Sequence, residues 1–227
     1  MTASLRRAAW LDLGVEDYLR AFEVQSRLHT LRLAGEIPDT VVVVEHLPCI
    51  TFGRAAHAEH ILAGPEELQA EGVALYATDR GGDVTYHGRG QLVLYPIVDL
   101  AGYGRDVHAH ARRLEQVLVD TLASFGVGAY RKREYPGVWT DQGKIGALGF
   151  KVKRWVTMHG VSLNVSPDMA HFSLIVPCGI TEHGVTSMSV VLGRRVDTAE
   201  VKPVLRRAFE RVFAARLSDS TKEELAL

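Results

Sequence analysis

The chain has 227 residues, 47% hydrophobic and 23% charged, with a formal net charge of −1. That composition belongs to a folded protein with an ordinary core and gives no net field toward nucleic acid or membrane. The basic start (Met1 to Arg7) runs into Asp12, Glu16 and Asp17, so no signal-peptide core follows it. Its longest apolar run, Leu92–Val98, is too short for a helix to cross a bilayer. Two cysteines, Cys49 and Cys178, cannot make a disulfide framework, which fits a reduced, cytosolic protein.

Taken in order, residues 16–33 place Tyr18, Phe22, Val24, Leu28 and Leu31 at helical spacing. Thr40 to Glu45 is β-branched and apolar and predicts a buried strand. Pro65-Glu66-Glu67 opens a helix, with proline and acids in its first turn. Val73–Thr78 predicts a strand leading into a loop, Arg80–Gly90, and Gln91–Val98 a strand leading out of it. Asp106 opens a helix to about Phe125 with Leu114, Val117, Leu118 and Leu122 on one face, stopped by Gly126. Strands are predicted at 127–132, 137–140, 144–151 and 155–164, and a last helix at 198–216. Residues 1–15 and 218–227 are expected to be peripheral. Several strand pairs are joined too tightly for helical crossovers. The expected architecture is therefore α+β, one domain with a mixed or antiparallel sheet flanked by helices.

Three segments stand out chemically. The first, Arg80-Gly81-Gly82-Asp83-Val84-Thr85-Tyr86-His87-Gly88, brackets a hydroxyl, an aromatic ring and an imidazole with glycines. It is either a turn-making hairpin loop or a ligand cradle. In the second, Pro177-Cys178-Gly179, the constrained backbone suits an exposed nucleophile, although a lone cysteine is more often a buried structural one. Cys49, among Leu47, Pro48 and Ile50, is assigned that structural role. The third, Gly143-Lys144-Ile145-Gly146, carries either a surface lysine or a cation able to favour a thiolate. His57 with His60 and His108 with His110 are spaced for a metal, but the second pair would diverge around a helix and no metal site is expected. His159 faces either the core or a ligand. Arg131, Lys132, Arg133, Lys151, Lys153 and Arg154 are either solvated or a docking surface for an acidic protein.

These segments resemble the lipoyl(octanoyl) transferases. The match comprises the Arg80–Gln91 run, Gly137-Val138-Trp139, Lys144-Ile145-Gly146-Ala147-Leu148-Gly149, His159-Gly160-Val161-x-Leu163-Asn164-Val165 and Pro177-Cys178-Gly179-Ile180, in order over residues 40–192. The resemblance implies a fold shared with biotin and lipoate ligases. It also implies ATP-independent transfer of an octanoyl group from the phosphopantetheine of octanoyl-acyl carrier protein, with no further cofactor, in the first step of endogenous protein lipoylation. The acceptor would be a lysine of a lipoyl domain, in 2-oxoacid dehydrogenases and the glycine cleavage H protein, and the enzyme would act as a cytosolic monomer. By motif position Cys178 would carry the acyl group and Lys144 would tune it. Arg80, Gly81, Gly82, Asp83, Val84, Thr85, Tyr86 and His87, with Ala147, Leu148, Gly149, Gly160, Val161 and Ser162, would line the substrate. Val84, Leu148 and Val161 would wall the acyl chain. Backbone N–H groups along 144–149 or around Cys178 are the expected oxyanion donors. Asp83 stands where glutamine is usual in that family, and Arg89 where proline is usual.

Overall fold

The computed structural model describes residues 5–179 and 183–227, without the side chain of Cys178. Ten strands among them form two sheets. The larger has seven strands in the order β10-β1-β2-β6-β9-β8-β7. Its members are β1 (Arg6–Glu16), β2 (Asp39–His46), β6 (Gln91–Ile97), β7 (Val138–Thr140), β8 (Gly143–Lys153), β9 (Val156–Asn164) and β10 (Ala215–Asp219). β10, β1 and β2 run parallel, and the pairs from β2 onward are antiparallel, so the sheet is mixed. The smaller sheet orders β4 (Ala74–Ala77), β3 (Cys49–Phe52) and β5 (Val84–His87) as β4-β3-β5.

Why the large sheet is buried on both faces is written in β2. Val41 and Val43 pack on one face with α3 (Val107–Ala123) and α5 (Thr198–Phe213), whereas Val42 and Val44 pack on the other with α1 (Tyr18–Ala34). A strand covered twice reads as an unbroken apolar run, which is how Thr40–Glu45 reads. The neighbouring β6 does the same, sending Leu92 and Leu94 to one side and Val93 and Tyr95 to the other. The helices start where their caps say. Asp17 accepts from Leu19 N at 2.8 Å, Asp106 from Ala109 N at 2.9 Å, and Asp197 with Glu200 makes a reciprocal capping box.

Three expectations fail here. The N-terminal residues are not peripheral: β1 lies inside the sheet between β2 and β10, with Trp10 in the core. Nor is the C-terminal end, because Leu217 and Leu225 are buried and β10 follows α5 where one longer helix is predicted. Ala214 turns left-handed at φ 48 and ends that helix. Residues 127–132 form no strand, and their backbone meets β7 in an isolated bridge between Tyr130 and Trp139. Among the described residues, no helix is long and apolar enough to cross a membrane.

The place of Trp10 gives a stability test. Trp10→Ala should lower unfolding free energy by about 3 kcal/mol in urea titration, the usual cost of emptying an aromatic site in a packed core. A surface strand would change by less than about 0.5 kcal/mol.

Candidate active site

A cavity of about 480 Å³ lies between the two sheets and is lined from both. Its buried floor is made by Tyr18 of α1, Val93 and Tyr95 of β6, His87 of β5 and His159 of β9. Exposed rim residues come from three segments: Ala55 and His57, then Glu134 and Pro136, then Gly179.

Lys144 borders this cavity near the start of β8, and it is buried, with 6% of its surface exposed. Burying an ammonium is costly without compensating contacts. Its Nζ lies 5.5 Å from the centre of the Trp139 ring, the residue paired with it across β7 and β8. The same ring carries Lys132 Nζ at 4.5 Å. The residue that lets the Lys144 side chain pass is Gly137, at φ 120. A Cβ there would meet Gly146 O at 2.6 Å and Lys144 Cε at 2.8 Å. Gly137 N–H is in turn tied to Glu115 Oε1 of α3 at 2.9 Å, and the other oxygen of Glu115 pairs with Arg131 at 3.1 Å.

Arg80 is a staple as well as a lining residue. Its guanidinium donates to Thr51 O and Asp83 O, each at 2.7 Å, to Thr51 Oγ1 at 3.0 Å and to Gly81 O at 3.0 Å. These bonds draw the 80–83 turn onto β3. Beyond the turn, residues 84–87 are not a loop but β5, and strand alternation sorts them. Thr85 and His87 face the cavity, whereas Val84 and Tyr86 point into the core beneath the small sheet. Tyr86 OH bonds to His171 Nδ1 at 2.7 Å there.

The floor histidines are held neutral. Burial pushes His87 down to about 3 and His46, behind it, to about 4. His87 Nδ1 meets Gln91 Oε1 at 2.7 Å. Gln91 Nε2 is committed to Tyr86 O and Asn164 Oδ1, so the proton sits on His87 Nδ1. His159 takes φ 61 within β9, a strained value for a residue with a Cβ. Burial, partly opposed by Asp79, brings His159 to about 4. Asp79 accepts from His159 Nε2 at 2.8 Å and from Lys151. Burial works against the Asp79 carboxylate, but these bonds outweigh it and hold its carboxyl below the usual range.

A small recess of about 20 Å³ adjoins Lys144 and is bordered by Thr85, Ser162, Asn164 and Pro177. Two of the backbone N–H groups expected as oxyanion donors nearby are committed. Lys144 N donates to Gly184 O and Gly179 N to Val176 O, while residues 146–153 pair with β9.

Residues 17–210 match the family model of the lipoyl protein ligase A/B catalytic domain. An octanoyltransferase of Solibacter usitatus is 46% identical over 209 residues, covering 92% of this chain and 94% of that one. An octanoyltransferase of Gloeobacter violaceus is 45% identical over 218 residues, covering 96% and 95%. The chain belongs to the octanoyltransferase family. Its fold is the α+β fold of the lipoate and biotin ligases. The bipartite lipoate protein ligase of Thermoplasma acidophilum aligns with a TM-score of 0.74 at 17% identity, over 97% of this chain and 91% of that one. Biotin protein ligase of Aquifex aeolicus in complex with biotin and ATP aligns with a TM-score of 0.53 at 13% identity, over 91% and 70%.

For a member of this family, the predicted lining set divides cleanly. Arg80, Gly82, Asp83, Thr85, His87, Ala147, Leu148, Gly149, Gly160, Val161 and Ser162 border the cavity together with Lys144. Gly81, Val84 and Tyr86 do not, so Val84 is no wall for a ligand. The Cys178 side chain and Ile180 lie outside the described residues. The backbone of Pro177–Gly179 is a 3-10 turn, with Gly179 on the cavity and Pro177 on the recess. Cys49 is buried, and burial pushes its thiol well above the ordinary range, as a structural cysteine requires. His110 is packed between Phe150 and Phe213, while His108 is exposed, so the two diverge. The basic residues form two groups, not one. Arg131 and Lys132 lie beside α3 and Trp139, whereas Lys153 and Arg154 sit at the far end of β8, about 30 Å along the strand.

Sequence reading missed Tyr18, Tyr95, Glu115 and the 134–136 rim. Tyr18 had been given only its helical face, and nothing local marks Glu115 as buried.

Two measurements follow from this geometry. Gly137→Ala should displace Lys144 and cost activity at least tenfold in octanoyl transfer, with a folded far-ultraviolet spectrum retained. The lowered histidines fix a pH dependence of stability. His46, His87, His110 and His159 bind protons near pH 6.5 when unfolded but only near 3 to 4 when folded. Their contribution is therefore complete above about pH 6.5 and is lost as the pH falls toward 4. Urea midpoints should drop steadily from pH 7 to pH 5; a flat profile would show that these rings are solvated.

Proposed function

We propose that the chain carries an octanoyl group from octanoyl-acyl carrier protein, through a thioester on Cys178, to the lysine ε-amine of a lipoyl domain, without ATP. The observation that carries this reading is the meeting of Lys144 and the Pro177–Gly179 turn on one cavity, in a chain whose relatives are named octanoyltransferases. A thiol of ordinary pKa is only a few per cent ionised at neutral pH. The Lys144 ammonium, set in a buried site where charges interact strongly, favours the thiolate.

The chemistry closes without an energy source. Thioester exchange onto Cys178 is close to neutral, and thioester to amide runs downhill. Val93, Val161 and Leu148 offer the octanoyl chain an apolar bed, worth about 0.8 kcal/mol per buried methylene. For the oxyanion, side chains replace the committed backbone. Thr85 and Ser162 hydroxyls border the recess with Lys144, and neither makes a hydrogen bond to a described residue.

Intact-mass spectrometry with octanoyl-acyl carrier protein and an apo lipoyl domain tests the reading. Wild type should gain an octanoyl adduct and then pass it on in the absence of ATP. Cys178→Ala should form none, and Lys144→Ala should move the pH profile of Cys178 alkylation upward. An adduct on Cys178→Ala, or transfer that requires ATP, would refute the assignment.

A further inference from the structure

The Pro177–Gly179 turn is held from behind by a carboxylate–imidazole pair that the reading above does not use. His60 Nδ1 lies 2.5 Å from Asp83 Oδ2, and Asp83 Oδ1 accepts from the backbone N–H of His57 at 3.1 Å. Both side chains border the cavity, His60 24% exposed and Asp83 12%. Gly179 sits directly on the pair: a Cβ there would meet His60 Cε1 at 2.8 Å and Asp83 Oδ2 at 2.9 Å. The backbone on the other side of the turn is also fastened to His60, since Val176 N donates to His60 O at 2.8 Å. Ile61 bridges Ile175, and Leu62 and Ala63 both donate to Leu174 O. His60 thus touches the chain on both sides of Cys178.

The pair has a defined polarity. An ionised carboxylate only accepts, so Asp83 fixes the proton of His60 on Nδ1 and leaves Nε2 as the proton-exchanging atom. Nε2 makes no hydrogen bond to a described residue. Acyl transfer to an amine needs such an atom. When the Cys178 thiolate attacks the carrier thioester, the pantetheine thiolate departs and takes up one proton. In the second half, the lysine must shed two protons, one as an ammonium and one from the tetrahedral adduct, while the Cys178 thiolate leaves. One net proton is released per turnover. Lys144, in becoming the cation that stabilises that thiolate, accounts for one of these two protons at most, so the other needs a second acceptor. His87 and His159 are bonded into the buried floor through Gln91 and Asp79.

We propose that His60, oriented by Asp83, is the proton carrier of both half-reactions, giving a proton to the departing pantetheine sulfur and taking one from the attacking lysine. The proposal rests on the octanoyl-transfer reading above. Groups facing this imidazole are Asp83, the His57 ring with its centre 5.3 Å away and Glu59 beyond it, and, across Asp83, the Arg80 guanidinium.

Quenched-flow sampling with intact-mass spectrometry resolves adduct formation and amide formation as two rates. If wild type forms neither product, the octanoyl reading itself falls, before any variant is compared. With wild type active, His60→Gln should slow both rates on the order of 100-fold. Iodoacetamide should still alkylate its Cys178 at the wild-type rate, and added imidazole should restore part of the activity of His60→Ala. Asp83→Asn cannot supply two acceptors. It should lower kcat about tenfold with KM for the carrier unchanged, and move the His60 proton from Nδ1 to Nε2 in 1H–15N spectra. Wild-type rates in His60→Gln would overturn the proposal. So would a loss that tracks lost alkylation and ignores imidazole, because His60 would then only prop the turn.

Discussion

An ammonium placed inside a protein has to be held there, and the framework around Lys144 is organised by that requirement. Its backbone is clamped on both sides of the peptide, N–H to Gly184 O and C=O from Thr186 N. Its side chain runs past the only kind of residue that leaves room, Gly137, toward the face of Trp139. Glu115 holds both Gly137 and Arg131, and Arg131 also donates to Arg112 O and Gln116 Oε1, so the segment carrying part of the cavity rim is fastened to α3. Breaking such a buried, bonded charge leaves its partners unsatisfied, which costs far more than the pair contributes.

The other end of the cavity is built on the opposite principle. His46, His87 and His159 are desolvated until they carry no charge at neutral pH; Tyr18 stacks on His87, and Tyr95 meets His159 edge to face. A floor of neutral rings accepts an alkyl chain without stranding a charge beneath it. It also keeps the local dielectric low, which strengthens the attraction between Lys144 and any thiolate formed above. One cavity thus has an uncharged floor and a cationic shoulder.

Much of this was legible because it is local. Four consecutive valines announce a strand buried on both faces, and Asp17, Asp106 and Asp197 announce their helices. Most of the motif residues around 80, 144 and 160 border the cavity, whereas Gly81, Val84 and Tyr86 do not. Glycines flanking Val84–His87 hide a strand, and the period of two that sends Val84 and Tyr86 into the core was readable but overridden by the loop assignment. What could not be read is non-local. β1 is a half-exposed strand whose partners lie more than 20 residues away, and β10 is short and follows a helix without a break. Glu115 looks like any helix acid until residues 131–137 fold over it.

The cavity geometry bears on why an acyl-enzyme is useful at all. Exposed lining residues belong to the rim, from segments 55–57, 134–136 and 179, while the residues deepest in the cavity are buried beneath α1 and the large sheet. A carrier protein delivering a tethered thioester and a lipoyl domain delivering a lysine would have to cross the same rim. Parking the chain on a side chain at the rim lets the first leave before the second arrives, and the deep apolar floor keeps the acyl group seated meanwhile. Gly179, exposed at that rim and left-handed at φ 67, places the Pro177–Gly179 turn at the entrance.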